Sequence, residues 1–399
     1  MSLYNSAYVK FNKANSLFSL SYNSKYRDYS NSYTDTYLEN EDVEISRKGV
    51  ESPYGYFLQN IDAAYNYYKN SFTFNIKFNY STNRNTNQNC SQEIFDKKSL
   101  IGNSFRSPKD KSHSPAIDLF SEYKISSKQS LLFNMVGKIL QTNYDYSYTE
   151  NVNENNSHFE YGVEGKRKSL ITEIMHTYSL KNLSWDSGLR YKYSDTHNLY
   201  SYDITNDFDS KDQNLYAYTQ FSGNVKNIYY MGGIGINWVS FKEGGNSFNK
   251  VLYRPLGRIK YMPLDNFSMS YQFSMQPTIP SLSTLSGITK NLNRYEFETG
   301  NSALRPYDNI KHKLSLSWNP NRWYISLNYN IESAKNLFAS GIYCQNGKSG
   351  YQHINFDSKT VRKINFYTSF DIIKDMLFID GYISYNYYKF KIEDETFSL

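Results

Sequence analysis

The side chains best suited to chemistry in this chain are its histidines and its paired carboxylates. No two histidines have the His-x-His or His-x-x-x-His spacing with which neighbouring imidazoles share a metal ion. The acidic pairs Glu41-Asp42 and Glu393-Asp394 have no base beside them, which indicates solvated loop charge. The sequence therefore predicts no metal site and no catalytic centre. The six histidines are dispersed, at His113, His158, His176, His197, His312 and His353.

A glycine-rich segment, Met231-Gly-Gly-Ile-Gly-Ile236, superficially resembles a nucleotide-binding loop. It lies inside a strand pattern and no helix pattern follows it, whereas phosphate loops lead into a helix N-terminus. Glycine within a strand more often permits curvature or close packing. We therefore expect no cofactor. Nucleic-acid binding is not expected either, because the 44 basic and 38 acidic residues are scattered without a basic block.

Two cysteines, Cys90 and Cys344, lie in predicted loops far apart in the sequence. A disulfide between them is open in an oxidising compartment, and so is the alternative of two unrelated thiols. Two cysteines make no disulfide framework, so the fold must depend on other interactions.

The elements that would position any site are strands with strict alternation of apolar and polar residues. In Ser71–Tyr80 the apolar residues take every second position, with Thr73, Asn75, Lys77 and Asn79 between them. One face of such a strand suits lipid and the other suits water. The same alternation recurs in residues 131–139, 267–275 and 323–331.

Composition agrees with strands of this kind in a membrane. Aromatic residues make up 18% of the chain, with 41 Tyr and 25 Phe, while the mean hydropathy is only -0.69. A membrane strand needs an apolar residue only at alternate positions over roughly 9 to 11 residues. Low mean hydropathy is therefore compatible with a membrane barrel.

Tight polar turns alternate with longer polar stretches along the chain. The predicted turns are Asn12–Asn15, Lys69–Asn70, Ser126–Gln129, Leu180–Asn182, Asn224–Asn227, Pro263–Asn266, Asn319–Asn321 and Ile373–Asp375. The predicted long loops are residues 24–53, 82–115, 150–168, 196–213, 243–249, 276–309 and 335–359. Eight hairpins predict an all-β, antiparallel up-and-down transmembrane β-barrel, or an incomplete barrel, of about 16 strands. The short turns would be periplasmic and the long loops extracellular, within one barrel domain over residues 1–399.

The alternation also assigns residues to faces. The inner, lumen-lining face is predicted to carry Asn75, Lys77, Asn79, Asn134 and Lys138. At the outward end of one long strand, three tyrosines are expected in an aromatic girdle, in strand packing or in a surface binding wall: Tyr144, Tyr146 and Tyr148. A soluble β-propeller is the competing fold, but no repeated four-strand unit or Gly-His…Trp-Asp signature is present.

One segment carries a more specific pattern. Pro277–Leu285 and Thr299–Asp308 precede the strand His312–Trp318. This arrangement resembles the TonB-dependent receptor barrels of the Bacteroidetes type. In that family an aromatic-rich strand leads into a Pro-Ser…Leu loop and then a Gly-Asn-Pro-x-Leu-x-Pro-Glu motif. Gly300, Asn301, Leu304 and Pro306 match the motif, while Ser302 and Tyr307 depart from it. We expect the four matching residues to shape the loop rather than to bind a ligand.

The resemblance implies a function and a set of partners. The chain would be the barrel of a receptor in the bacterial outer membrane that imports a scarce nutrient, with no enzymatic activity. Implied partners are outer-membrane lipid, a TonB-type energy transducer acting through a plug domain, a surface lipoprotein, and a small-molecule, glycan or peptide ligand. Family barrels have about 22 strands, more than the roughly 16 predicted here. We therefore expect an incomplete C-terminal portion of a receptor that lacks the plug domain, and a genuinely short barrel is the second alternative.

Two other functions stay open for the same fold. A closed barrel with a polar lumen could be a passive, porin-like channel. The tyrosine- and asparagine-rich loops could instead bind a glycan or a protein at the surface without transport, since tyrosine supplies rigid amphipathic contact area.

Overall fold

The computed structural model describes residues 1–39, 44–201, 206–243, 246–285, 289–345, 348–373, 376–392 and 395–398. Nearly all of these residues belong to one β-sheet. The strands are β1 (Ser2–Lys13), β2 (Ser16–Ser32), β3 (Thr36–Glu39), β4 (Glu44–Val50), β5 (Ser52–Lys69), β6 (Phe72–Asn87), β7 (Cys90–Asp96), β8 (Ser99–Ser126), β9 (Gln129–Val152), β10 (Asn155–Ser179), β11 (Leu183–Ser201), β12 (Asn206–Val225), β13 (Ile228–Glu243), β14 (Asn246–Tyr253), β15 (Leu256–Leu264), β16 (Phe267–Thr278), β17 (Thr289–Asn291), β18 (Glu296–Thr299), β19 (Tyr307–Trp318), β20 (Trp323–Gln345), β21 (Lys348–Ile373), β22 (Leu377–Ile392) and β23 (Glu395–Ser398). A single short helix among them is α1 (Leu282–Leu285), and no helix in the described ranges is long and apolar enough to cross a membrane.

Sixteen of these strands form the wall of the fold. Consecutive wall strands pair antiparallel, in the order β1, β2, β5, β6, β8, β9, β10, β11, β12, β13, β15, β16, β19, β20, β21 and β22. The predicted up-and-down antiparallel barrel fold of about 16 strands is confirmed. Within the described ranges no ladder joins β1 to β22, so the wall has an open seam between them.

One end of the wall, the short-turn end, holds the tight turns. Seven of them lie at residues 14–15, 70–71, 127–128, 180–182, 226–227, 265–266 and 319–322, each within or beside a predicted turn. Ala14, Asn70, Lys226 and Asn321 have positive φ angles of 48° to 54°, the left-handed conformation that lets a chain reverse over a few residues. The eighth predicted turn, Ile373–Asp375, lies partly outside the described residues.

At the opposite end, the long-loop end, the strands extend much further than the sequence indicates. Six of the seven predicted long loops are mostly strand in their described residues: 24–53, 82–115, 150–168, 196–213, 243–249 and 335–359. The β9–β10 hairpin continues until only two residues, Asn153 and Glu154, join its strands. The loop prediction was wrong here for a physical reason. Polar residues occupy both faces of these extensions, so the alternation that marks a strand disappears while the backbone ladder continues.

The two faces of the wall differ as the alternation predicts. Phe78, Ile139, Leu189 and Ile234 are 40% to 50% exposed on the outer face. The opposite face lines the interior and is polar. There Lys77 Nζ lies 2.8 Å from Asp62 Oδ1, Asn79 Nδ2 donates to the same oxygen at 2.9 Å, and Asn75 Nδ2 donates to Asn66 Oδ1. Asn134 and Lys138 alternate with the outer-face Ile139 and lie on this inner face too.

Two inner tyrosines lie flat against glycines of the neighbouring strands. Tyr216 and Tyr218 stack with ring centroids 5.2 Å apart, and Tyr218 Oη donates to Glu173 Oε1 at 3.1 Å. A Cβ at Gly188 would lie 2.5 Å from the Tyr218 ring, and one at Gly235 would lie 2.3 Å from Tyr216. Glycine is required at both positions because any side chain would occupy the space of a ring.

Alanine at these positions should weaken the wall. We expect Gly188→Ala and Gly235→Ala each to destabilise by about 1–3 kcal/mol, because a tyrosine ring must leave its place. Gly232→Ala is the matched control: its Cβ would meet no atom within 4 Å. That variant should be neutral, or stabilising by up to about 1 kcal/mol. Urea unfolding in detergent micelles measures the free energy of unfolding of all three variants. An equal loss of stability in Gly232→Ala and in the other two would contradict the packing argument.

Candidate functional site at the long-loop end

Residues 279–285 and 289–306, the mouth loop, belong to the connection from β16 to β19 and cross the long-loop end of the barrel. Within this loop β18 pairs in parallel with Ser349–Gln352 of β21. Arg294 Nη2 donates to Ser157 Oγ of β10 at 2.8 Å. Seven wall strands lie between β10 and β21, so the loop bridges two distant parts of the wall. It therefore covers the interior at this end.

The motif residues hold the mouth loop to its surroundings. Asn301 Nδ2 donates to the His353 carbonyl at 2.9 Å, and the Asn301 N–H donates to the Thr284 carbonyl at 2.7 Å. Asn301 Oδ1 also accepts from the Ala303 N–H at 2.9 Å, which closes a tight turn. The Gly300 carbonyl accepts from Gln352 Nε2 at 2.9 Å.

The second half of the motif adds an apolar anchor. Leu304 is 0% exposed and packs with Phe241 of β13 and Leu285 of α1. The Pro306 carbonyl accepts from Lys250 Nζ at 3.4 Å. The structure thus places Gly300, Asn301, Leu304 and Pro306 together, in contacts between the mouth loop and the neighbouring strands β13, β14 and β21.

A buried ion cluster ties the mouth loop to two other segments. Arg47 of β4 is 3% exposed and lies between Glu150 of β9, 0% exposed, and Glu296 of β18. Its guanidinium nitrogens lie 3.7 Å from Glu150 Oε2 and 3.4 Å from Glu296 Oε2. Tyr148 Oη donates to Glu150 Oε2, and Tyr351 Oη donates to Glu296 Oε1, each at 2.5 Å. These five residues are called the Arg47 cluster.

An apolar layer shields the Arg47 cluster from water. Ile45, Ile94 and Val152 form a buried group against which Tyr295 of the mouth loop packs. The Arg47 guanidinium carbon lies 5.9 Å from the centroid of the Tyr295 ring. Charges in such surroundings interact strongly, and each of them depends on its partners to offset the lost hydration.

Tyr144, Tyr146 and Tyr148 face the interior at this end. Tyr146 stacks on Tyr161 with centroids 5.0 Å apart, and Tyr148 is 4% exposed beside the Arg47 cluster. Burial raises the pKa of Tyr146 to about 12. The predicted girdle is therefore wrong for these residues, while strand packing describes them. Side chains alternate along β9, so these even-numbered tyrosines lie on the face opposite to the odd-numbered, outward Ile139. The sequence therefore contained a signal for their inward direction.

An inner cavity, the mouth pocket, lies beneath the start of the mouth loop. It encloses about 470 Å³ and is lined by the inner face of β10 to β13, with Ile279 and Pro280 on its loop side. Its charged and hydroxyl-bearing lining residues include Arg167, Lys192, Thr196, Asp212 and Glu243. A volume of this size lies in the lower part of the range for small-molecule sites, roughly 300–1,000 Å³.

The charges of the mouth pocket are only partly paired. Lys192 Nζ lies 3.3 Å from Asp212 Oδ2, so these two offset each other. Arg167 Nη2 donates to Ser194 Oγ at 3.0 Å but forms no ion pair within the described ranges. Burial raises the pKa of Glu243, and no basic side chain described in the structure pairs with its carboxylate. Within the part of the chain that the structure describes, the mouth pocket therefore holds one cation and one carboxylate without an ion-pair partner.

Other candidate groups have simple structural explanations. His197 Nδ1 lies 2.9 Å from Asp209 Oδ1 and 3.2 Å from Asp207 Oδ1, on the exposed tip of the β11–β12 hairpin. The hydrogen bond to Asp209 and the charge of Asp207 raise the pKa of His197. Sequence spacing could not find this grouping, because it depends on cross-strand register. Cys90 is buried and Cys344 exposed, and both are free. The acidic pairs at residues 41–42 and 393–394 lie outside the described ranges.

The Arg47 cluster should respond to alkaline pH through Tyr351. Burial and the hydrogen bond to Glu296 raise the pKa of Tyr351 to about 12, against about 10 in an unfolded chain. The folded state thus keeps the phenol proton to a higher pH than the unfolded chain does. The contribution of Tyr351 to stability is therefore complete below pH about 10 and is lost between about pH 10 and 12. We expect a nitroxide on Cys344, in a Cys90→Ser background, to become more mobile over that window. Tyr351→Phe should be mobile at pH 8 already, while Tyr385→Phe should match the parent.

Comparison with known proteins identifies the class of fold. No protein-family model matches the sequence, and no curated protein matches it. Solved outer-membrane proteins do match the structure. The ferripyoverdine receptor of the outer membrane of Pseudomonas aeruginosa superposes with a TM-score of 0.65 at 11% identity, over 100% of this chain and 55% of that chain.

Two metal transporters also match the structure. The copper transporter OprC has a TM-score of 0.63 at 9% identity, over 98% of this chain and 62% of that one. The FrpB iron transporter from Neisseria meningitidis has a TM-score of 0.60 at 9% identity, over 99% and 62%. The chain thus spans 55% to 62% of the length of these proteins. At such identities the likeness establishes the fold alone, a β-barrel of the kind found in these proteins.

Proposed function

We propose that residues 1–399 form the barrel domain of a TonB-dependent receptor in a bacterial outer membrane, which imports a scarce nutrient and catalyses no reaction. The observation that carries the proposal is the mouth loop, anchored at both ends over a partly charged inner pocket. A loop held in this way can cover a bound ligand. In this proposal the short-turn end is periplasmic, the long-loop end is extracellular, and lipid surrounds the apolar outer face.

The remaining partners follow from the same proposal. A TonB-type transducer in the inner membrane would supply energy through a plug domain inside the barrel, and a surface lipoprotein would assist capture at the long-loop end. The ligand would be a small molecule, a glycan or a peptide. Support comes from the motif at Gly300 to Pro306 and from solved structures of the same fold whose names denote a receptor and metal transporters.

The experiment compares uptake in cells that do and do not carry the protein, each with and without the energy transducer. We expect nutrient-limited growth to require both. Uptake that persists without the transducer would instead support the passive channel. Ligand retention at the cell surface with no uptake under any condition would support the surface-binding barrel. Protease added to intact cells should cut only at the long-loop end, whereas cleavage at the short-turn end would contradict the orientation.

A further inference from the structure

The strand register places four inner-face residues in one row, and three of them, Arg167, Thr196 and Glu243, line the mouth pocket. Arg167 of β10 pairs with Thr196 of β11, Thr196 pairs with Ser210 of β12, and Ser210 pairs with Glu243 of β13. Neighbouring strands lie about 4.8 Å apart, so the backbones of Arg167 and Glu243 are separated by about 14 Å. The row therefore begins with a cation, continues through two hydroxyl groups and ends with a carboxylate.

The charges at the two ends of the row are those that have no ion-pair partner among the described residues. Lys192 and Asp212 offset each other, so neither adds a net charge to the mouth pocket. Arg167 donates to Ser194 but has further guanidinium N–H groups. A partner for both ends must itself carry a negative group and a positive group. A simple anion would leave Glu243 unpaired, and a simple cation would do the same to Arg167.

The centre of the row calls for neutral polar groups. Thr196 is 7% exposed, and its Oγ1 has no hydrogen-bond partner within the described part of the chain. The side chains of Asn198 and Asn214 also line the mouth pocket. Hydroxyl and amide groups are suitable partners for peptide N–H and C=O groups, and a buried hydroxyl without a partner is costly.

The row also sets the length of the ligand. The Arg167 and Glu243 side chains reach inward from backbones about 14 Å apart and shorten the gap between their charged ends. A single amino acid carries its two charges on adjacent bonds and cannot reach both ends. Two or three residues of extended chain span roughly 7–11 Å.

We propose that the mouth pocket binds a short peptide of two or three residues with free termini, its carboxylate on Arg167 and its ammonium on Glu243. The inference deepens the proposed receptor function by naming its ligand class. The peptide backbone lies along Thr196, with Asn198 and Asn214 beside it. No covalent step is involved, and release requires only that the mouth loop move aside.

The test is calorimetric titration of the full chain in detergent micelles with trialanine and three blocked forms of it. These are N-acetyl-trialanine, trialanine amide and the doubly blocked peptide. We expect trialanine to bind, and each single block to weaken binding by about tenfold or more, because each removes one buried charge pair. Equal binding of trialanine and the doubly blocked peptide, or no binding of trialanine, would overturn the proposal.

Two variants assign the termini. Glu243→Gln should weaken trialanine by about tenfold or more yet leave N-acetyl-trialanine unchanged, because that probe has no ammonium to lose. Arg167→Gln should weaken trialanine similarly and leave trialanine amide unchanged. Glu164→Gln and Lys166→Gln change exposed residues on the outer face of β10 and serve as matched controls. Variant effects that do not depend on which terminus is blocked would contradict the assignment.

Failure of this inference can be separated from failure of the proposed function. Trialanine binding without transducer-dependent uptake would leave the binding site intact and remove the receptor proposal. Transducer-dependent uptake of a nutrient by a protein that does not bind trialanine would support the receptor proposal and overturn the proposed peptide site. Unfolding curves of each variant in the same detergent confirm that loss of binding is not loss of fold.

Discussion

Arg47→Met is expected to release the mouth loop from the wall. The substitution keeps the aliphatic stem but removes the guanidinium group that separates Glu150, 0% exposed, from Glu296. Two buried carboxylates would then face each other without a counter-charge, and breaking a buried pair in this way costs about 3–5 kcal/mol. Amide hydrogen exchange at Glu296–Thr299 and at Ser349–Gln352 measures the effect, because these residues form the parallel ladder beside the cluster.

The matched control and a rescue make this expectation specific. Lys48→Met changes the neighbouring, exposed residue and should leave exchange unaltered. Adding Glu150→Gln and Glu296→Gln to Arg47→Met should restore most of the protection, because no unpaired charge remains. We expect the neutral triple variant to lose little protection from exchange for a further reason. In the parent, Arg47 Nε, Arg47 Nη2 and Glu150 Oε1 already lack hydrogen-bond partners within the described residues. Unchanged exchange in Arg47→Met would show that the cluster does not hold the loop.

Leu304→Ala should undock the motif half of the mouth loop. Leu304 is 0% exposed against Phe241 and Leu285, and replacing a buried leucine by alanine typically costs about 2–5 kcal/mol. The affected core is small and local, so we expect rapid proteolysis within residues 289–306 while the urea midpoint of the barrel stays near that of the parent. Limited proteolysis in micelles followed by mass spectrometry gives both readings.

A volume-conserving variant controls for the size of the side chain. Leu304→Met should cost less than about 1.5 kcal/mol and keep the loop protected. Ser302→Ala, at an exposed motif position, should have no effect. If Leu304→Ala lowers the barrel midpoint as much as it exposes the loop, Leu304 would belong to the global core and not to a local anchor.

The candidate site could be predicted only in part. The sequence pointed to the segment around Gly300 to Pro306, and this segment does anchor the mouth loop. It did not indicate Arg47, which meets Glu296 across 249 residues of sequence, or the row from Arg167 to Glu243. Those residues lie in polar stretches without periodicity, where neither the strand register nor the inward face can be read locally.

What the sequence alone determined was the repeated local pattern: all-β class, about 16 antiparallel strands, tight turns at one end, and a polar inner face with an apolar outer one. Strand alternation and turn preferences depend on two to four neighbouring residues, so they can be predicted from each short segment of sequence by itself. Only the tertiary structure decided how far the strands extend, which way Tyr148 points, and where the mouth loop crosses. These features depend on contacts between residues far apart in the chain, and such contacts exist only when every strand has its register.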